Sequence, residues 1–440
     1  MVNIEYFRDR DEIASLPCDL VILMQKKGLI SPDQILIHYC GFISWQRGIA
    51  VFMPRNTILE SLLPHDAFYL FQSLSRYYLR KNTGIFEGKE SDLIGKHSLY
   101  LVHSLIEDYR ANGLYVRRKK QLSINKGRPN WKLTIARRTP YPSGDAPVYI
   151  DTDTISTSYV SDCQTARIHA HVIRQIYIKY GVIITGNYIN SDDGLDRVPE
   201  PNVGSEIQIA MLDRELLESY SERDIKLIGM LKAYICEISP SGDSEFLVGT
   251  QNFHSVWEGM LDACLPRKIE INRSLPVPYY QQGDYFIEVS QKGQRTDTVI
   301  ESEDGYRWAI IDAKYYDASS PFLAPGWHDL VKQFFYKTAA EKICSKNVSV
   351  TLHFIFPGSI QCLDKVRVGE REQKKVHLEK FKGIADYSEI LCHYCNPLIL
   401  IKKYTQGQFL NIADRSEISS EIFRFYRHKL NVIYSVELSD

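Results

Sequence analysis

No run in this 440-residue chain reaches the ~18 uninterrupted apolar residues of a membrane-spanning helix. No membrane association is therefore expected. The opening segment, MVNIEYFRDRDEIASL, carries acids where a secretory leader needs an apolar core, so a cytoplasmic location is expected. A disulfide framework is also missing, because the nine cysteines stand at irregular positions in a long chain. Cys392-His393-Tyr394-Cys395 has half of a zinc-site spacing, but no second C-x-x-C follows and free core thiols are expected. Excess charge of one sign is absent, with 53 basic against 54 acidic residues, so the surface as a whole is no trap for a polyanion. The chain has no G-x-x-x-x-G-K-[ST] loop, no internal repeat and no low-complexity tract. What is present is a globular composition, 44% hydrophobic and 12% aromatic, in a length that suits two or three domains.

The amino-terminal part reads as mixed α+β. Residues 35–54 read as two strands around Trp45-Gln46-Arg47-Gly48, followed by helices at about 58–80, 97–110 and 163–180. The last of these carries Ala166, Ile168, Val172, Ile173 and Ile176 at helical spacing. Asp, Gly and Pro gather in 188–205, so a first domain over 1–190, a linker over 191–205 and a second domain over 206–440 are expected. Local charge stands out within the first domain. From Arg110 to Gly144 there are ten Lys or Arg and no acid. Arg117, Arg118, Lys119, Lys120, Arg128 and Lys132, with Trp131 among them, suit phosphates and base stacking. A solvated basic face that touches nothing, or a contact with a protein partner, accounts for the same run.

The most informative segment is RTDTVIESEDGYRWAIIDAKYYD, residues 295–317. Asp304-Gly305 predicts a hairpin with a two-residue type I′ turn, which needs positive φ at both central positions. That turn sets Val299 opposite Ile310 and Asp297 opposite Asp312. Directly opposed side chains have Cβ atoms roughly 4.5–5.5 Å apart, and like charges there repel. The second strand, WAIIDAKYY, is apolar on both faces, so Asp312 and Lys314 interrupt a strand that reads as buried. Ions in such a place need partners or a metal. Two aspartates beside a lysine suit a divalent cation, Mg²⁺ or Mn²⁺, and an attacking water. An Asp/Lys ion pair on a wet strand edge is the plainer reading, and Trp308, Ile310, Ile311 and Tyr315 would be hard to place on such an edge.

Helices flank this hairpin. Phe253, Val256, Trp257, Met260, Leu261 and Cys264 make an apolar stripe, with Glu258 on its border as a third metal ligand or a solvated neighbour of a core Trp. Downstream, Trp327, Leu330, Val331, Phe334, Phe335, Thr338 and Ala339 make a second stripe. Gln333 and Tyr336 lie one turn apart on that helix and either support the site or pack the helix. A buried strand over 348–358 closes the order helix, hairpin, helix, strand.

In that order and in the pieces VWEGML, RTD, IIDAKYY and DLVKQFFY, the chain resembles the PD-(D/E)XK nuclease superfamily. The match is closest to the LlaJI family of restriction endonucleases and the related McrC-type nuclease subunits. YCGFISWQRGIAVFMPRN and KGRPNWKLTIAR are similar to earlier segments of the same proteins, so the likeness runs from about residue 35 to about 360. The resemblance implies an α+β N-terminal domain followed by an α/β PD-(D/E)XK nuclease core, a mixed central sheet flanked by helices. It implies Asp297 and Asp312 as metal ligands with Glu258, Lys314 as the catalytic lysine, and Gln333 as a glutamine common after such cores. It also implies double-stranded DNA as substrate and a separate AAA+ GTPase as partner. Thr296 stands where the superfamily's name places a proline, which touches backbone more than chemistry.

The expected function is a Mg²⁺-dependent endodeoxyribonuclease of a restriction system. A recombination, repair or transposon-end nuclease has the same core, and a vestigial-fold DNA-binding or docking subunit is the non-enzymatic alternative.

Overall fold

A computed structural model describes residues 3–31, 33, 35–82, 93–144, 146–186, 193–237, 246–345, 347–420 and 422. The chain opens with strand β1 (Ile4–Arg8) and helix α1 (Cys18–Lys26), then the hairpin of β2 (Cys40–Trp45) and β3 (Gly48–Met53). The expected turn is in place, with Trp45 paired to Gly48. Gly48 is required there, because at φ +141° a Cβ would stand 2.2 Å from the Asn3 carbonyl oxygen. Helix α2 spans Asp66–Asn82 and starts later than periodicity suggests. Pro64 disfavours helix at the residue before it. The Asp66 carboxylate then accepts the Leu63 N–H at 2.8 Å. Strand β4 (Leu93–Ile94) follows.

The next stretch holds α3 (Lys96–Asn112), β5 (Arg117–Ile124), α4 (Trp131–Arg137), β6 (Tyr141–Ser143), β7 (Ala146–Val148), β8 (Asp153–Val160), α5 (Gln164–Thr185), α6 (Asp193–Asp196), α7 (Ser205–Glu218) and α8 (Glu222–Glu237). The basic run forms a long antiparallel ribbon, β5 on β8, that patterning did not reveal. The apolar stripe of α5 is buried as read, from Ala166 to Ile176. Helix α8 packs on α3 and α7.

Strand β9 (Leu247–Thr250) then returns to pair with β2 and β4, giving a sheet in the order β1-β3-β2-β9-β4. After it come α9 (Phe253–Cys264), the ribbon β10 (Tyr279–Gln282) and β11 (Tyr285–Glu288), then β12 (Thr298–Glu301), β13 (Arg307–Ala313), α10 (Trp327–Ile343), β14 (Ser349–Pro357), β15 (Lys365–Val366), β16 (Ile390–Cys395) and α11 (Pro397–Gln406). The second sheet runs β12-β13-β14-β16-β15. Its three inner strands are parallel and its edges antiparallel. This is the expected mixed sheet, since the β13 to β14 connection is long enough to carry α10 across a face. Ile310, Leu352, Phe354, Phe356, Ile390 and Cys392 are core residues of that sheet. Cys392 and Cys395 are free, buried thiols. His353 and His393 stack in the same sheet at 5.1 Å between ring centroids, with nitrogens 2.8 Å apart.

Two compact units result, and they are not the two expected halves. Among the described residues, those of 3–95 and 183–186 share one unit with those from Leu247, while those of 96–182 and 193–246 form the other. The boundary looked for at 191–205 falls inside the second unit, because β9 belongs to the sheet begun by β1. Among the described residues no helix is long and apolar enough to cross a membrane.

Candidate active site at the end of the β12–β13 hairpin

The predicted register holds, although the turn differs. Thr298 pairs with Ile311 and Val299 with Ile310, and the ladder closes with Ser302 N–H donating to the Arg307 carbonyl at 2.9 Å. The loop therefore has four residues, with Gly305 N–H returning to the Ser302 carbonyl at 3.0 Å. Gly305 takes φ +71° and Asp304 does not have positive φ, so a type I′ turn is excluded. Asp304 instead accepts from Ser302 Oγ at 2.6 Å and from Tyr306 N–H at 3.1 Å. A loop of two or four residues centred on the same dipeptide leaves the pairing unchanged.

Asp297 sits one residue before β12, across from Asp312. Its Oδ2 accepts the Ala313 N–H at 3.3 Å. Asp312 is 6% exposed, whereas Asp297 is open to solvent. Enough protein surrounds the Asp297 carboxylate that desolvation, then the Asp312 charge, pushes it well above the usual carboxylate range. Lys314 lies past the end of β13, its N–H on the Ile355 carbonyl at 3.0 Å. Its Nζ is 3.0 Å from Asp312 Oδ2 and 2.8 Å from Asp329 Oδ1. Burial alone would lower Lys314, but those two carboxylates outweigh it and raise it, which keeps the ammonium charged. Asp329, in the first turn of α10, is a site residue that patterning gave no role. The signal available was an acid opening the helix that follows the hairpin. Tyr316 also bonds it, Oη to Oδ2 at 3.2 Å.

Glu258 is held by α9, whose buried face is the one read from the sequence. Desolvation and the Asp312 charge raise Glu258, and Lys314 and Lys332 pull the other way. It shares the field of the pair without bonding to it. On α10 the predicted stripe is corrected: Trp327 and Phe335 are 56% and 59% exposed, and Leu330, Gln333, Ala339 and Ala340 are buried. The sheet, not the apolar count, selects the face, and that face carries a glutamine. Asp329, Gln333 and Tyr336 follow one another at helical spacing on one side of α10. Tyr336 is raised by its own burial and by Asp297 and Asp312. Gln333 is fully buried, and among the described residues neither amide atom finds a hydrogen-bond partner.

Among the described residues no three His, Cys, Asp or Glu side chains are gathered into a cage for a metal ion. The donors that are present still fit a hard cation. Mg²⁺ commonly takes one or two carboxylates and completes its shell with water and phosphate oxygens. Asp297 and Asp312 would be those two, with Glu258 near enough to act through charge.

The family described as LlaJI restriction endonuclease matches residues 40–368. The chain belongs to that family. A relative from Bacillus subtilis (strain 168), "Type II restriction enzyme BsuMI component YdjA", is 25% identical over 372 residues, covering 77% of this chain and 76% of its own. Among solved structures, a chain of the refined half-complex from the tetradecameric assembly of Thermococcus gammatolerans McrB AAA+ hexamers with bound McrC is similar at 11% identity and TM-score 0.39, over 92% of this chain and 99% of that one.

The stretch matched by the LlaJI family includes the basic segment as well as the acid cluster. Arg117 is not free to grip a phosphate. Its Nε donates to Glu215 Oε1 at 2.8 Å, and a second nitrogen bonds Oε2 of the same buried carboxylate. Arg118 and Lys119 are exposed on β5, and Arg128, Trp131 and Lys132 are exposed around the start of α4. Asn130 caps α4 by accepting the Leu133 N–H at 3.2 Å, which fixes Trp131 at its first turn. The Lys120 side chain lies outside the described residues.

Proposed function

We propose that this member of the LlaJI family is a Mg²⁺-dependent DNA endonuclease with a PD-(D/E)XK core, the cutting subunit of a restriction system that works with a separate AAA+ GTPase. The observation that carries the reading is the meeting of Asp297, Asp312 and Lys314 at the end of the β12–β13 hairpin. The order α9, antiparallel pair, α10, parallel β14 supports the core assignment. A divalent ion at the aspartate pair would polarise the scissile phosphate and lower the pKa of an attacking water. Asp297, open to solvent, faces incoming DNA. Asp329 and Asp312 hold the Lys314 ammonium as a fixed cation, which suits it to donate to a phosphate oxygen or to a water, not to accept a proton. Tyr336 and Gln333 line the α10 side.

The relative's name, a component of a restriction enzyme, supports a division of labour between subunits. The chain has no P-loop signature, so nucleotide hydrolysis would come from the partner. Arg118, Lys119, Arg128, Trp131 and Lys132 form the exposed basic set for DNA or for that partner.

Plasmid DNA incubated with Mg²⁺, GTP and the partner tests this. Wild type is expected to cut and Asp312→Ala and Lys314→Ala to fail. Equal cutting by all three ends the assignment. A preference for four-way junctions over linear duplex would favour the recombination reading instead.

A further inference from the structure

The turn after β3 reaches the strand end that bears Lys314. The Arg55 backbone N–H donates to the Tyr315 hydroxyl at 2.7 Å, and Arg55 Nη1 donates to the Tyr315 carbonyl at 3.2 Å. The guanidinium lies 5.7 Å from the centre of the Tyr315 ring. Asn56 Nδ2 donates to the carbonyl of Asp317 at 3.1 Å and to that of Pro357 at 2.9 Å. One amide group thus ties together the exits of two adjacent parallel strands, β13 and β14. Asn56 stands at φ +60°, a left-handed conformation that Asn tolerates better than other residues with a Cβ.

On its other side the Tyr315 ring meets Phe253 at 5.5 Å and Trp257 at 6.1 Å between centroids. Both belong to α9, and Glu258 is the next residue after Trp257. Asp9, just past β1 and 1% exposed, lies in the same knot, 3.5 Å from Arg10 Nε and beside Tyr315 and Arg55. Strand β13 ends at Ala313. Beyond Lys314, side chains from 55–56 bond the carbonyls of Tyr315 and Asp317 where no ladder continues. Catalytic side chains held this way are sensitive to small displacements, since a shift of about 1 Å can cost about 100-fold in rate.

We infer that Arg55 and Asn56, outside the nuclease core in sequence, are positioning residues for Lys314, and that Tyr315 links that lysine to the helix of Glu258. This rests on the nuclease reading above. Asn56→Asp keeps the shape and the left-handed tolerance but loses the donors, and Tyr315→Phe loses only the hydroxyl that Arg55 N–H meets. Each is expected to lower kcat for plasmid cutting by about 10- to 100-fold with KM for DNA unchanged. Amide hydrogen exchange over 314–318 is expected to quicken more than over the rest of the second sheet. Arg55→Lys, which keeps a cation, should fall between wild type and Arg55→Ala.

If Asn56→Asp does not fold, Tyr315→Phe carries the test. Wild type that cuts, with both variants cutting at its rate, overturns the inference alone. A rise in KM with exchange over 314–318 unchanged also overturns it, because the turn would then be touching DNA. Wild type that cuts nothing with partner, Mg²⁺ and GTP overturns the nuclease reading and this inference together.

Discussion

Lys314 on the β13 end and Asp329 on α10 meet at 2.8 Å, so the lysine is held from a second element as well as by Asp312. Both side chains are largely buried, at 14% and 13% exposure. The pair therefore fixes where the ammonium points, in a way a lysine on one strand would not achieve.

Removing that hold should show in catalysis. Asp329→Asn is expected to reduce kcat by about 10- to 100-fold, with DNA affinity little changed. Single-turnover cutting beside a binding assay checks it, and wild-type rates in the variant would reduce Asp329 to a helix cap.

Above about pH 8, where Asp297 has lost its proton, it and Asp312 repel each other when no cation lies between them. In chelator at such a pH, Asp297→Asn should melt a few degrees higher than wild type, and with Mg²⁺ restored it should cut nothing. Mg²⁺ titrations followed by thermal melting should raise wild type and leave the variant unmoved. A wild type that ignores Mg²⁺ would contradict the donor set described here.

The stacked His353–His393 pair makes stability depend on pH. Burial drives both imidazoles down, His353 well below its ordinary range and His393 from 6.5 to about 4. Thr351 Oγ1 at 2.8 Å from His353 and Ser420 at 2.8 Å from His393 are the polar groups facing them, and neither is charged. A lowered folded pKa means that the unfolded chain binds the proton first. Stability is thus fully present above about pH 6.5 and is lost as pH falls from there toward 4, by about 3 kcal/mol for His393 alone. Urea unfolding at pH 7.5 and 5 should show the fall, and His393→Gln should flatten it.

Within the basic segment two kinds of residue should separate. Arg117→Ala leaves Glu215 buried without its cation, and a loss of about 1–3 kcal/mol is expected in chemical denaturation. Arg118→Ala and Lys119→Ala should leave stability alone and weaken binding to DNA or partner, each lowering the salt slope by about 1 if the contact is with phosphate. Melting curves with binding at several salt concentrations distinguish them.

The local grammar of the hairpin was legible because a dipeptide centre dictates register whatever the loop length, which placed Asp297 across from Asp312 despite the misjudged turn. The face of α9 was legible because all of its large apolar residues fall on one side. Periodicity misled on α10, where Phe335 is exposed and Gln333 buried, since both sides carry apolar residues and only the sheet decides between them. Asp329, Arg55 and Asn56 stand inside pieces that carry the family likeness, and Asp329 opens the helix after the hairpin, but nothing along the chain showed what each one touches. Their partners lie across tertiary crossings, and Asn56 meets Asp317 and Pro357 from the far end of the sequence. Arg117 looked like its neighbours because Glu215, which claims it, is remote in the chain.

The pairing of β9 with β2 has a consequence for synthesis. The first sheet lacks an inner strand until residue 250 has left the ribosome, so β2 keeps an open edge and β4 waits for its partner while the intervening stretch is made. A nascent chain halted in that stretch would expose an unfinished sheet, which makes chaperone capture or premature aggregation of such truncations the expected fate.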